Sequence, residues 1–316
     1  MTHPAGNFAL LAFGPIWLKP LWIVGAGALG AVIILYALLL LLRLTVPKVA
    51  AIARTTAKEA MSQPLFFVLL VVGAFAIIVF PFIPYHTFGE DVKMVKSSGL
   101  TLIKVLAIVM ALWTASVSIA EEIEGRTALT LLSKPVGRRQ LILGKFLGIL
   151  APVAVIFIIL GALFLGSVSY KVVYDARESV RMEPTTVECA AEMAQVVPGL
   201  ALAFMEAVVL ASISVAISTR LPMIPNLVIC VSIYVLGHLV PVLVNSAAGQ
   251  FEIVRFFGQL LASLFPVLGH FGMEGAISTG QAVPLGYLAW AGVYCLVYSS
   301  VAMLLALLLF EDRDLA

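Results

Sequence analysis

The sequence predicts an all-α protein, a polytopic bundle of about seven transmembrane helices, and three observations carry that expectation. The chain is 62% hydrophobic and 11% charged, with a mean hydropathy of +1.11, which is more apolar surface than 316 residues could hide from water. Its apolar residues gather into runs of about 20, the length of helix that crosses a hydrocarbon core of about 30 Å, where only a helix or closed barrel satisfies the backbone. Lys and Arg collect between alternate runs.

Taken in order, the expected spans are Leu21 to Leu42, Leu65 to Pro84, Leu100 to Ala120, Phe146 to Val168, Val196 to Ser218, Asn226 to Val244 and Pro284 to Phe310. The first is too long for the apolar core of a cleaved signal and ends at Arg43 without a small-residue cleavage site, so it reads as a retained helix. Residues 1–46 thus form an N-terminal segment carrying one helix, and residues 47–316 the main membrane domain. The segments Arg43 to Pro64, Glu121 to Lys145, Thr219 to Pro225 and Glu311 to Ala316 hold 11 of the 19 basic residues, although they are the shorter set of loops. Positive charge stays on the cytoplasmic side, which places the N-terminus outside and the C-terminus in the cytoplasm.

Two apolar segments are not expected to span. Residues 47–63 set Val49, Ile52, Ala53, Thr56, Ala60 and Met61 on one helical face, with Lys48, Arg54, Lys58 and Glu59 elsewhere. That is the period of an interfacial elbow helix, and Pro64 then opens the next span. Gly258 to Phe271 is too short to cross and is broken by Pro266 and Gly269, so it reads as a re-entrant or surface-lying segment on the outer side.

The cytoplasmic loop 121–145 is the densest charged stretch of the chain, and its length makes it a tight hairpin, not an inserted domain. Thr127 can cap a short helix bearing Leu129, Leu131 and Leu132, with Pro135 as its stop and Glu121, Glu122 and Glu124 ahead of its positive end. Three leucines are more apolar surface than a free loop should expose, so a partner surface is expected. Arg138, Arg139 and Lys145 are expected to reach anionic headgroups, and Gly144 and Gly148 to permit close helix contact.

This run of Glu-x-x-Glu, then Thr-x-Leu-x-Leu-Leu-Ser-Lys-Pro-Val-x-Arg, then Gly-Lys-x-x-Gly resembles the cytoplasmic loop of ABC transporter permeases of the type-2 exporter class. It is most similar to the six-span subgroup that includes the copper-processing and gliding-motility permeases. The elbow, the outer segment before the last span and the charged tail fall in the same order, covering roughly residues 50 to 316. Two features differ: Arg126 stands between Gly125 and Thr127, and the span Leu21 to Leu42 is additional.

The resemblance implies a membrane-spanning subunit of an ATP-driven exporter, working as a dimer with a second permease copy, identical or paralogous, in the bacterial inner membrane. Its loop and elbow would dock on a separate ABC ATPase subunit. Carried over position by position, Glu121, Glu124, Thr127, Leu129, Leu131, Leu132, Pro135 and Arg138 would form the coupling surface. ATP and Mg would be bound by that partner, and no cofactor or metal by this chain, which has no G-x-x-x-x-G-K-[ST] loop.

Glu206, near the middle of the fifth span, and His238, in the sixth, form a possible intramembrane polar site, because an ionisable group at that depth is a functional candidate. Glu206 could line a path, couple protons, or hydrogen-bond across helices in a seam with Ser212, Ser214 and Ser218. Lys104 is expected to snorkel to the outer surface. The stretch Ser169 to Gln195, mixed in sign, reads as a solvated outer loop or small helix. Cys189, Cys230 and Cys295 show no disulfide or zinc spacing, and the net charge of +2 argues against a nucleic-acid partner and leaves membrane lipids and proteins. Besides the exporter, a secondary transporter using Glu206 and a non-transporting membrane anchor or mechanical transmitter fit the same sequence.

Overall fold

The computed structural model describes residues 15–85, 91–124, 137–179, 182–245, 251–272, 276 and 283–311. These are helical throughout apart from short connections, and seven helices are long and apolar enough to cross a membrane. We number the helices α1 (Leu21–Thr45), α2 (Pro47–Ser62), α3 (Pro64–Val79), α4 (Asp91–Glu124), α5 (Arg138–Glu178), α6 (Thr186–Ser218), α7 (Met223–Asn245), α8 (Glu252–Leu264) and α9 (Leu285–Glu311). Short 3₁₀ turns precede α1 (Ile16–Leu18), follow α3 (Phe80–Phe82) and follow α8 (Leu268–Phe271).

The breaks between the first three helices are set by proline. Pro47 and Pro64 each occupy a first-turn position, and the residue before each is pushed out of helical geometry, Val46 to φ −135° and Gln63 to ψ 140°. The chain therefore turns twice, and α2 is a separate helix between the spans α1 and α3. Its buried residues, Val49, Ala53, Thr56, Ala57 and Ala60, include four of the six expected on its apolar face.

Helices α4, α5 and α6 form the centre of the bundle, with α9 against α6 and α5, and α7 against α4 and α6. The core includes Ile103, Met110, Ile149, Leu160, Leu202 and Leu210, all inaccessible or nearly so. Helix α1 buries none of its residues, and α3 presents Phe67, Val71 and Phe75 outward, as helices facing lipid do. We call the end where α4 stops and α5 starts the loop end, and the opposite end the far end.

The central helices run well past the expected spans. Helix α4 begins at Asp91 instead of Leu100, α5 covers Arg138 to Glu178 instead of Phe146 to Val168, and α6 begins at Thr186 instead of Val196. The stretch Ser169 to Gln195 is accordingly not a solvated loop: most of it extends α5 and α6. Its charges pair across helices. The buried Lys96 of α4 binds Glu192 and Gln195 of α6, and the buried Lys171 of α5 reaches Asp91 of α4 at 3.3 Å. Pairing offsets part of the cost of burying each ammonium, so the helices continue where hydropathy alone fades. A Thr185–Glu188 capping box starts α6: the Thr185 hydroxyl accepts from the Glu188 N–H, and the Glu188 carboxylate accepts from the Thr185 N–H at 2.9 Å.

The segment Gly258 to Phe271 divides in two. Helix α8 packs on α7, with Gly258 against Val244, while Leu268 and Phe271 are buried beside α7 and α6. Gly237 makes the second approach possible, since a Cβ there would stand 2.8 Å from the Pro266 carbonyl oxygen.

Candidate functional site: the loop end and a buried ionic cluster

Of the eight residues expected on the coupling surface, Glu121 and Glu124 lie in the last turn of α4 and Arg138 is the first residue of α5. The acidic residues thus belong to the end of the third spanning helix. Thr127, Leu129, Leu131, Leu132 and Pro135, with the short helix expected around them, lie outside the described residues. The start of α5 is capped by Gln140, whose side-chain oxygen accepts from the Gly137 N–H at 3.2 Å.

Behind this hairpin the structure is tied together by polar contacts in the interior. Lys145 does not reach for headgroups. It is buried, and its ammonium donates to the backbone oxygen and hydroxyl of Ser118 at 3.0 and 2.9 Å, joining the start of α5 to the end of α4. Gly144 and Gly148, one turn apart on α5, let α2 approach to backbone contact. A Cβ on Gly148 would lie 2.8 Å from the Ala53 carbonyl oxygen, and one on Gly144 would lie 3.1 Å from that of Val49. The small-x-x-x-small spacing therefore joins the elbow to the hairpin.

Asn226, at the start of α7, extends the polar layer. Its amide nitrogen lies 2.8 Å from Ser116 Oγ of α4 and 3.0 and 2.7 Å from Ser214 Oγ and Ser218 Oγ of α6. The Cys230 thiol donates to its amide oxygen, and the Ser218 hydroxyl reaches the Ala115 carbonyl. Three helices thus meet through one fully buried amide, where a lost partner would leave a group that water cannot rescue. The sequence reading placed serines in a seam but did not identify this hub.

Deeper in the bundle, Glu206 and His238 are brought together. Glu206, fully buried, stands 3.6 Å from the Lys104 ammonium of α4 and 3.4 Å from His238 Nε2 of α7. Lys104 does not snorkel: only 4% of it is exposed, because α4 starts at Asp91 and places it 13 residues, about 20 Å, along the helix. The tautomer of His238 follows from its other nitrogen. Nδ1 lies 3.1 Å from the Tyr234 carbonyl oxygen, which can only accept, so Nδ1 carries a hydrogen. The cluster spans α4, α6 and α7, the same helices that Asn226 joins nearer the loop end.

A multi-pass helical membrane protein whose central helices are joined by buried polar contacts is the class that this architecture defines. Residues 74–315 match the family described as ABC-2 family transporter protein, and the chain belongs to that family. It is thus a permease component of an ABC transporter, a kind of subunit that implies association with an ABC ATPase. No curated protein matches the chain. The match begins inside α3, so α1 and α2 precede the family region.

Proposed function

We propose that this chain is the membrane-spanning subunit of an ATP-driven exporter, working as a dimer and driven by a separate ATPase that binds its ATP and Mg. The family match over residues 74–315 carries the reading. The loop end supports it: Lys145 with Ser118 and the Gly144/Gly148 contact link the hairpin to α4 and to α2, so force on the hairpin would reach the bundle. Glu121, Glu124, Thr127, Leu129, Leu131, Leu132, Pro135 and Arg138 form the docking surface in this proposal. The permease domain runs from residue 47 to 316, with the loop end cytoplasmic, the N-terminus outside, and the subunit in the inner membrane of a bacterium.

The test is co-purification from native membranes. A tagged chain brings down an ATPase subunit, and Glu124→Lys combined with Leu131→Arg abolishes that association while the protein still inserts. Unchanged recovery of the ATPase with the double variant overturns the docking surface.

The contact between Glu206 and His238 favours a second reading, in which Glu206 couples transport to protons. Under it, Glu206→Gln removes dependence of transport on a pH gradient, and transport persists without any ATPase. Under the exporter reading, transport stops when the ATPase is removed.

A further inference from the structure

The geometry points to a phospholipid site between α1 and the rest of the bundle, holding one acyl chain of the far-end leaflet with its phosphate beside Lys19. Helices α1 and α3 both lie along the span of α5 and leave a cavity of about 890 Å³ between them. One wall is the α1 stripe of Leu21, Val24 and Ala28, and the floor is the α5 stripe of Ile159, Ala162 and Gly166. These spacings keep each set on one helical face. The lining is nearly all hydrocarbon apart from the Tyr170 hydroxyl at its far end and the Ser167 hydroxyl, which donates to the Ile77 carbonyl at 3.0 Å. An apolar cavity of this kind gives water nothing to bind.

Length and polarity select the occupant. The α5 floor runs from Ile158 to Tyr170, a rise of about 18 Å along the helix, close to the half-thickness of a bilayer core of about 30 Å. The slot therefore matches one leaflet. Its far end carries interfacial aromatics: Trp17 meets Tyr170 edge-on at 5.4 Å, and Phe82 packs on the same ring at 5.7 Å. The Ser169 hydroxyl fixes the turn by donating to the Trp17 carbonyl at 2.9 Å. Lys19 lies in that turn, between Trp17 and Leu21, which both line the slot, and its ammonium has no partner among the described residues. A phosphate supplies the missing charge. The occupant also accounts for α1, a spanning helix that lies against α5 with none of its residues buried. One wall of this site, α1, lies ahead of the family match, while its floor on α5 lies within it.

Native mass spectrometry of the full chain, exchanged into phosphatidylglycerol nanodiscs and released under conditions that strip loosely held lipid, tests the site. One phospholipid per chain is expected to survive. Ala28→Phe with Ala162→Phe fills the slot and lowers retention at least tenfold. Lys19→Glu leaves the cavity open and lowers retention of phosphatidylglycerol by a similar factor, which keeps the test decisive if the filled variant folds poorly. No retained lipid on the natural chain, or equal retention in all variants, overturns the proposal. With palmitate added to the nanodiscs, retention of palmitate but not of phosphatidylglycerol overturns the phosphate contact, and a dimer that forms with loss of the lipid assigns the slot to a second copy. None of these readouts involves an ATPase, so the outcome stands apart from the exporter reading.

Discussion

Lys104 shows how a single side chain changes meaning with its partners. Four residues inside an apolar run it would be a snorkelling anchor, yet the structure buries it against Glu206, with His238 on the other side of the carboxylate. Removing one member of a buried ion pair costs about 3–5 kcal/mol, since the remaining charge is left in a low dielectric, whereas removing both is far milder. Lys104→Met is expected to destabilise the protein by that amount, and Lys104→Met with Glu206→Met to recover most of it, as read by thermal unfolding in detergent. Equal losses in single and double variants would mean that the pair carries no coupling. Asn226 gives a second prediction at this scale. Asn226→Ala leaves Ser116, Ser214 and Ser218 without their shared amide and is expected to cost about 1–3 kcal/mol by the same measurement. Glu206 and His238 were legible as intramembrane polar residues, but their association was not, because equal depth in two helices depends on where each helix starts. With the start of α4 read at Leu100 instead of Asp91, Lys104 fell at the wrong level.

Among the elements, α2 is the clearest case of a pattern read correctly and then given a different neighbour. Its apolar face was visible in the spacing of Val49, Ala53, Thr56 and Ala60, and so was the glycine pair of α5. That the two features meet each other follows only from the fold, since the buried face was expected to rest on the bilayer. Gly148→Val is expected to cost about 1–3 kcal/mol and to loosen α2, because the obstructing atoms include Thr56 Cβ and the Ala53 backbone oxygen, which move only with the helix itself. Gly30→Ala, on a helix with open space at that position, is expected to leave stability almost unchanged. Protease sensitivity of the α2 region, compared between the two variants, checks the pair. Helix α8 presents Ile253, Phe256, Phe257 and Leu260 outward, an i, i+3, i+4, i+7 stripe that fits a helix lying in a membrane interface.

For the whole molecule, all seven spans were legible because runs of apolar residues are the strongest signal a membrane imposes. Their ends were not, because Lys96, Lys171, Asp91 and Glu192 look like solvated loop residues until they are seen to satisfy one another across helices. The orientation is testable without altering the natural thiols, since Cys189, Cys230 and Cys295 are all buried. A membrane-impermeant thiol reagent applied from outside is expected to label Met182→Cys, at a site 96% exposed at the far end, and to spare Lys58→Cys in α2. The opposite pattern would invert the topology.

Helix α5 has a further consequence through its length. At 41 residues it is a rod of about 60 Å, longer than a bilayer with its headgroups, which is about 40–45 Å. Pro152 leaves the Gly148 carbonyl without its helical donor at the point where α2 is seated. Under the exporter reading, a push delivered at Arg138 would meet a bearing at α2 and a weakened turn just beyond it, and would arrive at Lys171 on the other side of the membrane as a swing rather than a thrust.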